Sequence, residues 1–568
     1  MKSSSAWIVF GLAAAVLSIL FFWPLANVAL GGVFVDGRFT LRFLLGVFRN
    51  PVYAEGLLHS LRIALATTTL AMLIALPLAW LANQFDFLGK AAFSALVLVP
   101  MVLPPFVGAI GFQQIFGAYG LLNSLLGIAP LDWLGGGSFF GVVLLQSLSL
   151  YPILYLNAAA SLANIDPAMD EAAANLGCPR FRRFFRITLP LMAPGLFAGG
   201  TIVFIWSFTE LGTPLIMNYT RCTPVQIFDA LKDINSSPFP YALVLVMLLA
   251  SSSLYAVGRL LFGRRAFAMQ SKAATPAAPR RLTPGRSLLA AAPFALVSFL
   301  ALLPHFGVLL TAFATPGSWF GTVLPASFTT GNFIAALGHD MTISSIRNSL
   351  SFSSLAVCFD LAAGLAIAFV VVRSRIPVRG LLDTLAMVPL AVPGLVMAFG
   401  FISVSSALSN WPAMADSDLW LRIVDVRTNP TLFLVVAYAV RRLPYMVRSA
   451  VAGLQQTSVS FEEAAGTLGA PPFTVLRRIT LPLITANLIA GALLTFSFSM
   501  LEVSDSLMLA QQAAYMPITK AIFELFQLLG TGKYIAAALG VWAMAFLAAT
   551  LASASLLLGK KLGALFRV

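Results

Sequence analysis

Uninterrupted apolar runs alternate with short polar connectors from one end of the chain to the other. A run of roughly 20 residues is long enough to cross about 30 Å of hydrocarbon as an α-helix. The pattern predicts spans near residues 7–30, 60–83, 91–115, 139–160, 195–216 and 241–262, and again near 287–313, 346–372, 381–406, 431–453, 486–508 and 535–558. The runs lack the two-residue alternation of a membrane strand, so helices are expected rather than a barrel. The predicted fold is therefore an all-α polytopic membrane protein with about twelve transmembrane helices. The run after Met1–Ser5 is too long for a signal peptide and ends in no cleavage site, which makes it the first, uncleaved span.

Composition agrees with this picture: 59% of the 568 residues are hydrophobic and 10% are charged, at a mean hydropathy of +0.91. A soluble globular protein is excluded. The net charge of +14 raises nucleic acid as a partner, but the basic residues sit in short loops rather than along one stripe, and no nucleic acid is expected. Arg180, Arg182, Arg183 and Arg186 follow the fourth span, and Arg264, Arg265, Lys272, Arg280, Arg281 and Arg286 follow the sixth. Arg373, Arg375 and Arg379 follow the eighth span, Arg477 and Arg478 the tenth, and Lys560, Lys561 and Arg567 the last. With alternating spans all these loops share one side, and the Lys and Arg excess marks it as cytoplasmic, with both termini on that side. Arg38, Arg42 and Arg49 fall in a long loop on the opposite side, where the charge rule is weak. Cys178, Cys222 and Cys358, and His59, His305 and His339, have no disulfide or metal-ligand spacing, so none is assigned to a site.

The chain also repeats itself. Glu171-Ala172-Ala173-Ala174-Asn175-Leu176-Gly177, leading to Ile187-Thr188-Leu189-Pro190, returns as Glu463-Ala464-Ala465-Gly466-Thr467-Leu468-Gly469, leading to Ile479-Thr480-Leu481-Pro482. The offset is 463 − 171 = 292 residues. Upstream, Val99-Pro100 and Gly111-Phe112 match Val388-Pro389 and Gly400-Phe401 at 389 − 100 = 289. Two homologous six-helix bundles in parallel orientation follow, since an even number of spans separates matching points. The expected divisions are a first bundle at 1–263 with its loop at 163–192, a Pro- and Ala-rich linker at 264–286, and a second bundle at 287–568 with its loop at 455–484.

Each repeated loop carries a carboxylate and small alanines in a helical pattern, a Gly that permits a turn, and a basic stretch leading to a proline where the next span begins. The doubled motif resembles that of the membrane permeases of bacterial binding-protein-dependent ABC importers: Glu-Ala-Ala, six positions to Gly, then Ile-x-Leu-Pro. The resemblance implies the type I importer permease fold in the bacterial inner membrane. It further implies coupling helices that fit a cleft on a cytoplasmic ATP-binding subunit, expected as a homodimer, and a periplasmic substrate-binding protein. On the matching positions the coupling role falls to Glu171, Ala172, Ala173, Gly177, Glu463, Ala464, Ala465 and Gly469. ATP would act only through the partner, with no cofactor bound directly. Gly89-Lys90, Gly532-Lys533 and Gly559-Lys560 lack the full phosphate-cradle motif, and the chain is not expected to be an enzyme.

Ionisable residues inside spans cost about 2.5 to 3.5 kcal/mol on insertion scales and ask for a function or a partner. Glu210 and Glu502 are equivalent, at 502 − 210 = 292, and either line a substrate path or are hydrogen-bonded structural groups. Asp505 is a further pathway candidate, expected nearer the outer surface. Arg441 and Arg442, next to Pro444, either break the symmetry of the path or pair with Asp360 or freed carbonyls. Among importer permeases, the stretches around Glu210 and Glu502 and the last eleven residues are most similar to the ferric iron transporters. Relatives for 2-aminoethylphosphonate, thiamine or polyamines remain open, as does, from another class, a secondary transporter driven by an ion gradient.

Overall fold

The computed structural model describes residues 3–35, 37–102, 105–134, 137–234, 236–266 and 280–558. In the first half the main helices are α1 (Ser5–Val33), α2 (Pro51–Gln84), α3 (Pro105–Phe116), α4 (Phe139–Ala163), α5 (Pro167–Asn175), α6 (Leu189–Thr209) and α7 (Phe239–Ala266). In the second they are α8 (Pro284–Phe313), α9 (Asp340–Arg373), α10 (Gly394–Ser409), α11 (Thr431–Gln456), α12 (Ser460–Thr467), α13 (Leu481–Met500) and α14 (Gly532–Leu558). Strand is confined, among the described residues, to two-residue pairings and one isolated bridge.

Among the described residues, eight helices are long and apolar enough to cross a membrane, and ten if each of two sharply bent pairs counts as one span. The bends fall in the windows expected at 91–115 and 381–406, where the chain turns by 96° and 97°. Pro100 and Pro105 stand at the first, Pro389 and Pro393 at the second. A proline withholds a helical donor and pushes the residue before it out of the helical region. Pro393 itself has ψ 136°, which ends one helix and starts α10. The two remaining windows are helical as well. Helix α7 is apolar over a shorter length, Phe239–Leu254, and α11 carries Arg441, Arg442 and Arg448.

The halves are built alike. Helices α2, α4 and α6 pack on one another as α9, α11 and α13 do. The first helix of each half bridges both bundles: α8 lies along α3 as well as α14 of its own half, and the Trp23–Val33 part of α1 lies along α10 as well as α7. Glycine makes these crossings possible, because a Cβ on Gly111 would collide with the Pro304 carbonyl and one on Gly400 would stand 3.0 Å from Pro24. Most of the expected linker, residues 267–279, lies outside the described residues, as do Lys272, Lys560, Lys561 and Arg567. The end of the linker is tied down: Arg280–Arg281 pairs in parallel with Phe85–Asp86, just past α2.

Candidate functional site: a polar seam and two exposed loops

Two expected spans stop early. Helix α6 ends at Thr209, and Glu210 has extended backbone (φ −70°, ψ 129°) before a short turn of helix at Gly212–Ile216. Helix α13 ends at Met500, and Glu502 precedes the equivalent Ser504–Leu509. Non-helical backbone within a membrane protein is tolerated where it lines a polar cavity or is buried in protein. Here the breaks at Glu210 and Glu502 meet the proline breaks at Pro100, Pro105, Pro389 and Pro393 around one cavity of about 220 Å³ between the halves. Gln146, Ser149, Thr209, Arg441, Arg442 and Ser504 supply most of its remaining polar lining.

The two acids, equivalent in sequence, are held differently. The Glu210 carboxylate accepts from the Thr213 amide at 2.9 and 3.0 Å and from Gln146 Nε2 at 3.3 Å, with no cationic partner among the described residues. Glu502 accepts from Arg441 through one oxygen and from Arg442 through the other. Arg441 also reaches Asp505 Oδ2 at 3.3 Å, and Arg442 donates to the Phe498 carbonyl at 3.2 Å. The arginines therefore pair with the acids of the broken span and with a freed carbonyl, while Asp360, fully buried, has neither oxygen hydrogen-bonded. Asp505 is fully buried in the protein, with Oδ1 unpartnered. The Arg441 guanidinium lies against Gly394, where a Cβ would collide with it. No group of three or more His, Cys, Asp or Glu that could hold a metal occurs among the described residues.

The repeated loops lead into α6 and α13. Helix α5 begins on Pro167 with Asp166 as N-cap, its side chain accepting from the Ala168 amide at 2.9 Å, and ends at a Gly177 of φ +75°. Helix α12 leads likewise to Gly469 at φ +83°. A left-handed turn of this kind suits glycine, which has no Cβ to crowd the next carbonyl. Glu171, Ala172, Gly177, Glu463, Ala464 and Gly469 are exposed, whereas Ala173 is half-buried and Ala465 buried. The preceding acids turn inward: Asp170 binds Arg183 at 3.3 Å, and Glu462 binds Arg373 at 3.1 Å and Thr480 at 3.3 Å.

Three apolar side chains repeat at the same offset on these loops and are exposed in both: Met169 and Phe461, Leu176 and Leu468, Phe181 and Phe473. Large apolar groups exposed in concert mark an interaction surface. Neither the anchoring acids nor this apolar set was singled out from the sequence, although comparing the repeats position by position would have found both.

The comparisons with known proteins agree with this architecture. Residues 68–267 and 360–556 each match the family described as binding-protein-dependent transport system inner membrane component. A putative ferric transport system permease protein of Haemophilus influenzae is 25% identical over 535 residues, covering 88% of this chain and 77% of the relative. A ferric transport system permease protein of Actinobacillus pleuropneumoniae is 26% identical over 529 residues, covering 89% and 72%. A molybdenum transport system permease protein of Escherichia coli is 31% identical over 182 residues, covering 30% of this chain and 78% of the relative. With two matches that together span most of the chain, on two repeats that share one seam, the protein belongs to the family of binding-protein-dependent transport system inner membrane components, the permeases of ABC importers.

Proposed function

We propose that this permease carries ferric iron from periplasm to cytoplasm by alternating access at the seam between its halves. The observation that carries the proposal is the convergence of broken helices from both repeats on one cavity lined by Glu210 and Glu502. Glu210 and Glu502 line the cavity with Arg441 and Arg442, and Asp505, held against Arg441, adds a third carboxyl group to the two guanidiniums, an excess that favours a cationic cargo. The ferric transport permeases match along most of this chain and supply the specific cation.

Motion comes from a separate ATP-binding subunit. It docks on α5 and α12 through Glu171, Ala172, Ala173 and Gly177 and through Glu463, Ala464, Ala465 and Gly469, with the repeated apolar residues as the contact surface. Two near-equivalent loops suit a homodimeric ATPase. The loops and both termini face the cytoplasm, where the Lys and Arg excess lies, and a periplasmic binding protein delivers the cargo to the other face. ATP thus serves the permease only through its partner.

The test is uptake by the permease reconstituted with its ATPase and binding protein. Ferric iron should be taken up in an ATP-dependent, vanadate-sensitive manner, and 2-aminoethylphosphonate, thiamine and polyamines should not. Molybdate belongs in the same assay, because an oxyanion would meet Arg441 and Arg442 and the molybdenum permeases match part of the chain. Uptake that follows a proton gradient without ATP would mean a secondary transporter and end the proposal.

A further inference from the structure

The second half of the seam holds a set of charges that the first half lacks. Helices α2 and α9 are both 34 residues long and correspond at 340 − 51 = 289, which sets Asp360 opposite Ala71. At the offset of 292, Arg441, Arg442 and Asp505 correspond to Ser149, Leu150 and Thr213. Two acids and two bases are thus present together in one repeat, and all four are replaced by uncharged residues in the other. Three of them already touch through Glu502 or Asp505. The fourth, Asp360, stands apart with both oxygens unpartnered.

Asp360 nevertheless lies level with Arg442. Arg373, at the end of α9, donates at 3.0 Å to the carbonyl of Thr457, just past the end of α11, so the two helices run side by side in one direction. Gly364, one turn beyond Asp360, would bring a Cβ within 2.7 Å of Met446, one turn beyond Arg442. Arg442 Nε is itself buried and unpartnered. A buried acid and a buried base at the same level, each with unused hydrogen-bonding capacity, leave a pairing unmade at a cost that a single resting arrangement does not explain.

We propose that Glu502 and Asp505 form a binding site for a hard metal cation, that Arg441 and Arg442 occupy this site when no cation is present, and that Asp360 is the second partner to which Arg442 moves when the cation arrives. Asp505 Oδ1 is the free, fully buried oxygen that points to a missing ligand. Carboxylate oxygens are the donors that hard cations prefer. The exchange leaves every buried charge partnered: the cation takes over the Glu502 oxygen that Arg442 leaves and the free Asp505 oxygen, Arg441 stays between the two acids, and Arg442 neutralises Asp360. Asp360 is thus a positioning residue that acts through Arg442. This inference rests on the assignment of the seam as the cargo route.

The test uses the complete importer in proteoliposomes with radiolabelled ferric iron. Asp360→Asn should lower uptake about tenfold, in the range seen for groups that orient metal ligands, and Asp360→Glu should restore most of it. Asp360→Ala, which places the residue of the first repeat at a site of matching design, guards against a packing defect in the asparagine variant. In an Arg442→Gln background the further change Asp360→Asn should make no difference, since the residue that moves is gone; a merely structural aspartate would instead give additive losses. Uptake at the wild-type rate in Asp360→Asn or Asp360→Ala, additive losses, or failure of both variants to insert would each overturn the switch. A wild-type importer that moves no iron overturns the iron assignment instead, so the two failures are distinguishable.

Discussion

Equivalent residues need not be equivalent in energy, and Glu210 and Glu502 show why. Glu502 neutralises two buried guanidiniums, so removing its charge strands Arg442 and leaves Arg441 with Asp505 alone; breaking a buried pair in this way costs about 3 to 5 kcal/mol. Glu210 meets only an amide, a carboxamide and the cavity. A glutamine there keeps an acceptor for the Thr213 amide and should cost no more than about 1 kcal/mol. Thermal unfolding of the purified permease should accordingly show a large drop for Glu502→Gln and a small one for Glu210→Gln. Uptake should fall in both if both acids face the cargo. Equal thermal stability of the two variants would contradict the asymmetric ion pairing.

At the scale of elements, the exposed loops depend on one backbone feature each. Gly177 and Gly469 sit at positive φ, where a residue with a Cβ costs roughly 1 to 2 kcal/mol. Gly177→Val with Gly469→Val should leave membrane insertion intact, because neither glycine has an atom within 4 Å of its hypothetical Cβ, yet abolish ATP-driven uptake by turning α5 and α12 away from their docking angle. Leu176 and Leu468 are 87% and 89% exposed, so Leu176→Ser with Leu468→Ser should not alter the stability of the permease. The same pair should weaken co-purification of the ATPase, read by affinity pull-down. Retention of the ATPase at wild-type yield would remove these leucines from the interface.

For the molecule as a whole, the exchange of α1 and α8 between bundles makes the halves mutually dependent. Each first helix packs on the third helical segment of the other half, at Gly111 on one side and Gly400 on the other. Residues 1–279 and 280–568 expressed as separate chains should therefore purify together. Gly111→Val with Gly400→Val should separate them, since the added carbons strike the backbone at Pro304 and crowd Pro24. The same seam carries the cavity, so conditions that part the halves should also abolish uptake.

The sequence by itself determined the class of the protein, the pairing of its halves and the place of its exposed loops. These are properties of hydrophobic run length, internal repetition and local turn chemistry, which need no distant contact to be read. Glu171 and Glu463 could be recognised because Gly177 and Gly469 fix the local backbone. Proline positions were visible too, but their consequence was not: Pro389 and Pro393 convert an expected straight span into a bend of 97°. Only the tertiary structure decided the partners of the buried charges. The sequence offered Arg441 and Arg442 only Asp360 or freed carbonyls, whereas the end of α13 brought Glu502 within their reach and left Asp360 across the helix interface. Hydropathy and spacing rank candidates along one chain, whereas an ion pair between spans depends on helix rotation, level and the point at which a helix stops.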